Sequence, residues 1–210
     1  VPFPTEAELA AQYSVSRSVT REAVKMLTAK GLLTARPRQG TIVQPPSSWN
    51  LFDTGILRWL LERKFSMTLL RQFSELRVAI EPAAAALAAA KADASGRRLI
   101  EDGFARMAAA ARGDDDVLEA DIAFHIAILE ASGNPFYVQF RDVVETALRT
   151  SIRFTNRFKG HSASLGAHQA VRDAIIKGKA ETARKSMEAI IREVMALIDE
   201  AEASEGGAPE

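Results

Sequence analysis

The chain has 210 residues, of which 47% are hydrophobic and 26% charged, and it contains no cysteine. This length and composition allow one or two globular domains and exclude disordered and fibrous proteins. The missing cysteines exclude disulfides and zinc–thiolate sites, and no apolar run reaches the ~18 residues that span a bilayer. We therefore expect a cytoplasmic protein that is neither exported nor inserted into a membrane.

The formal net charge of zero conceals an uneven distribution along the chain. Residues 14–44 carry six lysines and arginines and a single acid, a net charge of +5, whereas residues 45–210 carry a net charge of −3. A small basic segment on a mildly acidic body is typical of a protein that contacts nucleic acid through one domain.

The first elements predict a winged helix-turn-helix. Residues 5–12 form a short predicted helix with Thr5 as its N-cap, and residues 17–29 form a second helix that Gly31 ends. Two short β-like runs joined by a turn at residues 37–40 follow and predict a hairpin. Helix, turn, helix and basic hairpin is the order of a winged helix.

The helix at residues 17–29 is the candidate recognition helix. Its spacing places Val24 and Leu27 on a core stripe, while Arg17 and Arg21 share another face. Arginines on the first turns of such a helix reach base edges and phosphates in the major groove. By spacing alone, the alternative that they only solvate an amphipathic helix stays open.

The rest of the chain is predicted to be helical. Residues 45–50 (PPSSWN) form a predicted linker, because prolines and serines separate two unlike periodicities. Residues 51–203 predict an all-α bundle of six or seven helices, and residues 204–210 a disordered tail. The helical patterns lie at residues 52–63, 67–90, 94–112, 115–132, 135–158, 164–177 and 179–203.

Three polar side chains lie on predicted apolar helix faces. Asp121 and His125 are four residues apart and share a face with apolar neighbours, so the carboxylate needs a histidine, an arginine or a metal ion as partner. A purely structural Asp–His pair is the alternative. Arg77 also falls on an apolar stripe, where it is either a clamp for an effector carboxylate or the partner of Glu81.

The N-terminal segment resembles the DNA-binding module of the GntR superfamily. The resemblance lies in PTEAELA, VSRSVTREAVKML and GLLTARPRQGTIV, which span about forty residues. It implies that the recognition helix reads or clamps the operator and that Arg36 to Gly40 form the wing. The implied DNA-binding residues are Ser16, Arg17, Ser18, Arg21, Arg36, Arg38, Gln39 and Gly40.

Two departures from this family pattern change the expectation. Ala7 stands where many members of the fatty-acid-responsive (FadR) branch have an arginine that touches DNA. Members of the family also begin with a further helix before the PTE run, whereas this sequence starts at Val1. We therefore expect the sequence to be an incomplete copy that lacks the first helix of the winged helix-turn-helix.

The C-terminal part, about residues 66–200, resembles the helical ligand-binding (FCD-type) domain of the same branch. The similarity is in ELRVAIEPAAAAL, the DxxFH of Asp121 to His125, GNP and HQAVRDAIIKGKA. It implies a divalent metal ion, first of all zinc, held by Asp121, His125 and His168, with Ile190 in place of a fourth ligand and His161 outside the site. If no metal is retained, the same three residues would hydrogen-bond a polyol.

The resemblance also indicates an effector. An arginine matching Arg77 points into the effector pocket of the family, and Arg149 and Asn156 are further candidates for its wall. The phrase WNLFDTGILRWLLE looks like the galactonate-responsive repressors and indicates an aldonate or related sugar acid. We expect a homodimer that binds operator DNA, most simply as a repressor released by the effector. The alternatives are a metal-dependent helical-bundle enzyme and a helical interaction module without a ligand.

Overall fold

The computed structural model describes residues 3–36, 40–63, 67–159 and 164–205, without the side chains of residues 36, 62–63, 152–159 and 204–205. These ranges form ten α-helices and one two-stranded sheet, which confirms the expected mainly helical fold. The chain divides into two compact units, Val1–Leu60 and Leu61–Glu210. None of the described helices is both long enough and apolar enough to cross a membrane.

The first unit begins with a helix-turn-helix. Its helices are α1 (Glu6–Gln12) and α2 (Arg17–Ala29), as the sequence predicts. Thr5 caps α1 in a reciprocal pair: its hydroxyl accepts from the Glu8 amide at 3.3 Å, and the Glu8 carboxylate accepts from the Thr5 amide at 2.7 Å. This cap satisfies amide donors that the first turn would otherwise leave without partners.

A hairpin follows α2 and corresponds to the predicted wing. Gly31 ends the helix with φ +78°, and a Cβ at this position would lie 2.3 Å from the Ser48 carbonyl oxygen, so only glycine fits. The strands β1 (Leu33–Arg36) and β2 (Gly40–Val43) then pair antiparallel. The predicted turn residues 37–39 lie outside the described residues.

One predicted core residue of α2 is only partly covered. Leu27 is 36% exposed, because it lines an open apolar cavity of about 620 Å³ together with Leu33, Trp49, Ile56 and Trp59. The prediction that Leu27 is a buried core residue is therefore wrong. The spacing of residues along a helix predicts which face a residue lies on. It does not predict what packs against that face.

The predicted linker is ordered within the first unit. It forms a 3₁₀ turn at Pro46–Ser48, after which the Asn50 amide donates to the Lys30 carbonyl at 3.1 Å. The indole of Trp49 donates to the Gln44 carbonyl at 2.9 Å. The helix α3 (Thr54–Arg63) follows and contains the boundary between the two units. The domain limits inferred from the sequence stay a prediction.

The second unit is a helical bundle. The prediction of one helix over residues 135–158 is wrong, because the chain breaks at Phe140, whose amide donates to the Tyr137 carbonyl three residues earlier at 3.0 Å. The second unit nevertheless holds seven described helices, which agrees with the six or seven expected for the bundle. The bundle helices are α4 (Met67–Lys91), α5 (Ala94–Ala110), α6 (Val117–Ala131), α7 (Pro135–Gln139), α8 (Arg141–Lys159), α9 (Leu165–Ile176) and α10 (Ala180–Glu205).

Helix α6 lies at the centre of the bundle. It packs against α4, α5 and α8, and its residues Phe124, Ile128 and Leu129 are almost completely buried. Gly103 of α5 allows a close approach, because a Cβ there would lie 3.1 Å from the Cα of Phe124. The two helices are therefore packed backbone against backbone at this point, which fixes α6 in place.

The contact at Gly103 gives a stability prediction. Gly103→Ala should have a free energy of unfolding about 1–3 kcal/mol lower than Gly166→Ala, because both changes gain helix propensity but only the methyl group at position 103 meets the backbone of another helix. Gly166→Ala is the control, since a Cβ at Gly166 in α9 meets nothing within 4 Å. Urea unfolding measures both variants. Equal or greater stability of Gly103→Ala than of the control would contradict this account of the packing.

Candidate functional site

Three of the residues singled out in the sequence meet in the bundle interior. Asp121 and His125 lie one turn apart on α6, and His168 lies in the first turn of α9. They are 5%, 2% and 2% exposed, and one ligand atom from each lies within 4.8 Å of the other two. The structure therefore brings the three predicted metal ligands together. We call these residues the triad.

The hydrogen bond at Nδ1 of His168 determines whether Nε2, on the other side of the ring, carries a proton or a lone pair. Its Nδ1 lies 2.9 Å from the Ser164 carbonyl oxygen, which can only accept, so Nδ1 carries the proton and donates. Nε2 then lies 3.1 Å from Asp121 Oδ1. Among the described residues, neither of these two buried atoms has a hydrogen-bond partner. A proton or a cation between them would offset the cost of burying both.

His125 is oriented in the same way by a carboxylate. Its Nδ1 lies 2.5 Å from Glu81 Oε2, and its Nε2 faces Asp121 Oδ1 at 3.7 Å. An ionised carboxylate can only accept, so Nδ1 of His125 donates to Glu81. The lone pair on Nε2 is then directed toward Asp121. Both histidines of the triad thus present Nε2 to the same carboxylate oxygen.

The triad has the donor set of a divalent cation site, and both separations from Asp121 Oδ1 fit such a site. Zinc binds imidazole nitrogen and carboxylate oxygen at about 2.0–2.2 Å, which places neighbouring ligand atoms about 3.3 Å apart in a tetrahedron. The separations of 3.1 and 3.7 Å from Asp121 Oδ1 bracket that value. The second ring nitrogen of each histidine donates to a carboxylate or a carbonyl, as in most metal-binding histidines. Ile190 packs partly buried against the core and offers no ligand atom.

Arg77 is buried in an ion pair on α4. The side chain is 2% exposed, and its Nε and Nη2 donate to Glu81 Oε1 at 2.5 Å and Oε2 at 3.3 Å. This is the pairing that the sequence left open as the alternative to an effector clamp. Glu81 accepts from His125 as well, so it joins Arg77 to the triad. From the sequence, Glu81 was recognised only as a possible partner of Arg77. The feature that indicated this pairing is the spacing of four residues between a carboxylate and an arginine on the apolar face of a helix.

The pKa values of the buried acids follow from these contacts. Burial alone would raise the pKa of Glu81, but the charge of Arg77 and the hydrogen bond from His125 outweigh it and lower the pKa to about 2. Burial also opposes ionisation of Asp121, and its interactions with His168 and His125 hold its pKa below the usual range. The carboxylate of Asp121 in turn raises the pKa of His168 against the effect of burial. The interior therefore holds two ionised carboxylates.

Arg149, an expected pocket residue, has its described contacts elsewhere. It pairs with Glu119 and, at 2.8 Å, with Glu145, and about one third of its side chain is exposed. Glu119 precedes Asp121 by two residues, and residues two apart on a helix point to different faces. The structure therefore does not bring Arg149 to the triad. The side chain of Asn156 lies outside the described residues.

The start of α2 exposes the predicted DNA-reading side chains. Ser16 caps the helix by accepting from the Val19 amide at 3.3 Å, and the hydroxyls of Ser16 and Ser18 are 3.1 Å apart. Arg17 is exposed, and Arg21 is 60% exposed although it donates to Glu6 at 3.3 Å. A weak surface pair of this kind leaves the guanidinium free to exchange partners.

Thr20 and the wing complete this segment. Thr20 is only 5% exposed, and its hydroxyl donates to the Glu6 carbonyl at 3.1 Å. It ties α2 to α1 and is not available to DNA. Gly40 begins β2 with φ +76° and open space around its Cα, as a wing turn requires. Arg38, Gln39 and the side chain of Arg36 lie outside the described residues.

A winged helix-turn-helix and a helical bundle with a buried polar cluster define a DNA-binding regulator that senses a ligand. Residues 2–43 match the gntR family of bacterial regulatory proteins, and residues 72–193 match the FCD domain. The chain belongs to the gntR family and carries an FCD domain. It is a transcription regulator and not an enzyme.

Relatives and solved structures agree with this assignment. The chain is 37% identical to the HTH-type transcriptional regulator YieP of Escherichia coli, covering 90% of this chain and 83% of that protein. It is 34% identical to the galactonate operon transcriptional repressor of the same species, covering 83% and 77%. The structure of a Streptococcus agalactiae GntR protein superposes with a TM-score of 0.54 at 25% identity, covering 93% of this chain and 89% of that one.

The buried pair gives a second prediction. Glu81→Gln should lower the free energy of unfolding by about 3–5 kcal/mol at neutral pH, because it leaves the Arg77 guanidinium without its charged partner. The pKa of Glu81 is lowered to about 2, so its stabilisation is complete above the usual carboxyl pKa and is lost as the pH falls toward 2. The difference between the variant and the wild type should therefore shrink in acid.

Urea unfolding at several pH values measures this difference. The control is Glu181→Gln, which breaks an exposed pair with Arg184 that solvent screens almost completely. A cost for Glu81→Gln no larger than that of the control would contradict the description of Glu81 as a buried, fully paired anion.

Proposed function

We propose that this protein is a homodimeric repressor that releases its operator when a sugar acid binds in the helical bundle. We assign residues 1–44 to DNA binding, residues 45–50 to a linker and residues 51–203 to effector binding and dimerisation. We place the protein in the cytoplasm, where operator DNA is accessible. The observation that carries the sensing half of the proposal is the pair of buried atoms, Asp121 Oδ1 and His168 Nε2, that face each other without a hydrogen-bond partner among the described residues.

Asp121, His125 and His168 would hold a divalent cation, with zinc favoured by the nitrogen and oxygen donor set. Such a cation leaves coordination positions that a carboxylate or hydroxyl group of the effector can occupy. Glu81 and the Ser164 carbonyl hold the two imidazoles in place, so the ligand atoms need no rearrangement on binding. The buried negative charge of Asp121 favours a bound cation. It is less compatible with a site that holds no ligand, or with a polyol bound without a metal ion.

We propose a sugar acid as the effector because two independent points agree. The galactonate operon repressor of Escherichia coli is among the relatives, at 34% identity. In addition, the guanidinium of Arg77 is buried and pairs with Glu81, which also accepts a hydrogen bond from His125 of the triad. Arginine binds carboxylates in a planar, two-pronged geometry. We therefore propose that Arg77, which pairs with Glu81 in this structure, exchanges that carboxylate for the carboxylate of the effector, and we retain Asn156 as a candidate for the pocket wall.

Release of DNA requires two states of the dimer with different affinities for the effector. In our proposal, one state presents both recognition helices to the two halves of a palindromic operator. The effector binds the other state more tightly and so reduces the DNA-binding population. Ser16, Arg17, Ser18 and Arg21 would contact the operator from α2, and Arg36, Arg38, Gln39 and Gly40 from the wing.

The cation proposal predicts a specific stabilisation. At 100 times its dissociation constant, Zn²⁺ should stabilise the wild-type protein by about 2.7 kcal/mol, and differential scanning fluorimetry should show a higher Tm. Asp121→Asn should lose this increase, because the amide keeps the shape of the carboxylate but removes its charge. The matched control is Asp173→Asn on α9, which is 37% exposed and pairs with Lys177.

The outcome separates the alternatives. A Zn²⁺-dependent rise of Tm that is kept in Asp173→Asn and lost in Asp121→Asn supports the site. An equal rise in both variants would place the ion elsewhere, and no rise in the wild type would leave the triad as a hydrogen-bonding site for a polyol.

The DNA-binding half predicts a loss of operator affinity. Arg17→Ala and Arg21→Ala should each weaken binding about 5- to 150-fold, the range expected for a lost base contact, or reduce the slope of log K against log salt by about 1 if the contact is to a phosphate. Gel-shift titration over a salt series distinguishes these cases. Arg184→Ala, in the second unit, is the control. Wild-type affinity in both α2 variants would exclude α2 from the interface.

A further inference from the structure

The position of Glu81 points to a role beyond holding Arg77. Its carboxylate is 1% exposed, and its two oxygens accept three hydrogen bonds, from Arg77 Nε, Arg77 Nη2 and His125 Nδ1. We propose that Glu81 is a positioning residue that fixes the tautomer of His125, so that the Nε2 lone pair is directed at the proposed cation. This inference rests on the cation site of the proposed function.

A neutral imidazole carries one proton on either of its two nitrogens, and the surrounding acceptors decide which one. For His125 the competing acceptors are Glu81 at Nδ1, at 2.5 Å, and Asp121 at Nε2, at 3.7 Å. With Glu81 present, the shorter bond keeps the proton on Nδ1. Without an acceptor at that position, the proton would move to Nε2 and be donated to Asp121. The same ring would then offer the cation a hydrogen in place of a lone pair.

His168 provides an internal reference for this effect. Its Nδ1 proton is held by the main-chain carbonyl of Ser164, which no substitution at position 81 removes. A change at Glu81 that acts through the tautomer therefore alters His125 and leaves His168 as it is. A change that only loosens the core would affect both rings.

Arg77 must be replaced together with Glu81 in a clean test. A single substitution of Glu81 leaves a buried guanidinium without a partner, whereas replacing both members of a buried ion pair by uncharged side chains of similar size is tolerated. Two double variants differ at position 81 in shape and polarity, and only one of them offers His125 an acceptor. Arg77→Met with Glu81→Gln keeps an acceptor oxygen for His125, and Arg77→Met with Glu81→Leu has none.

The experiment compares these two variants without metal and with Zn²⁺. Long-range ¹⁵N–¹H NMR of the metal-free proteins, recorded in alkaline solution so that the imidazole rings are neutral, reports which ring nitrogen carries the proton, and His125→Gln assigns the signals. We expect the Nδ1–H form of His125 in the Gln variant and the Nε2–H form in the Leu variant, with His168 unchanged. Competition with a chelator should show Zn²⁺ bound about 10- to 100-fold more weakly by the Leu variant.

The same His125 tautomer in both variants, or a change in both histidines, would overturn the positioning role. If the Leu variant does not fold, Arg77→Met with Glu81→Met supplies a second variant without an acceptor and close to the length of glutamate. Failure of the wild type to bind Zn²⁺ would count against the proposed cation site. The NMR comparison of metal-free proteins still decides the role of Glu81 on its own.

Discussion

The packing of the second unit depends on the hydrogen bonds made to a carboxylate that is buried away from water. Glu81 is buried on α4, and the loss of hydration is offset only because Arg77 and His125 donate to both of its oxygens. These contacts bind α4 to α6 at one defined register, since a shift of either helix would leave a charge without a partner. The same contacts orient His125 toward Asp121. Core stability and the geometry of the triad therefore have a common cause.

Local signals in the sequence were sufficient to predict several elements of the structure. The bounds predicted for α2 agree with the structure, in which Ser16 caps the first turn and Gly31 ends the helix, and both residues act within a few positions. The pairing of Asp121 with His125 follows from helical spacing alone. The third member of the triad, His168, lies on another helix, so no spacing rule reaches it. It was named from the resemblance of its segment to a known family.

The features that the sequence did not reveal depend on tertiary contacts. Whether Leu27 is covered depends on what packs over α2, and the break at Phe140 depends on one tightened turn. The direction of Arg149 depends on Glu119 of α6 and on Glu145 of its own helix α8. Glu81 was visible as a neighbour of Arg77, but its contact with His125 spans 44 positions and appears only when α4 and α6 pack together.

The central claim is that a ligand bound at the buried triad controls the affinity for DNA. Fluorescence anisotropy of a labelled operator, titrated with the Zn²⁺-loaded protein in the presence and absence of galactonate, tests it most directly. The account predicts that galactonate weakens operator binding by about 5- to 150-fold, the usual range of coupling between two sites. An unchanged operator Kd, with calorimetry showing that galactonate is bound by the same protein, would contradict it.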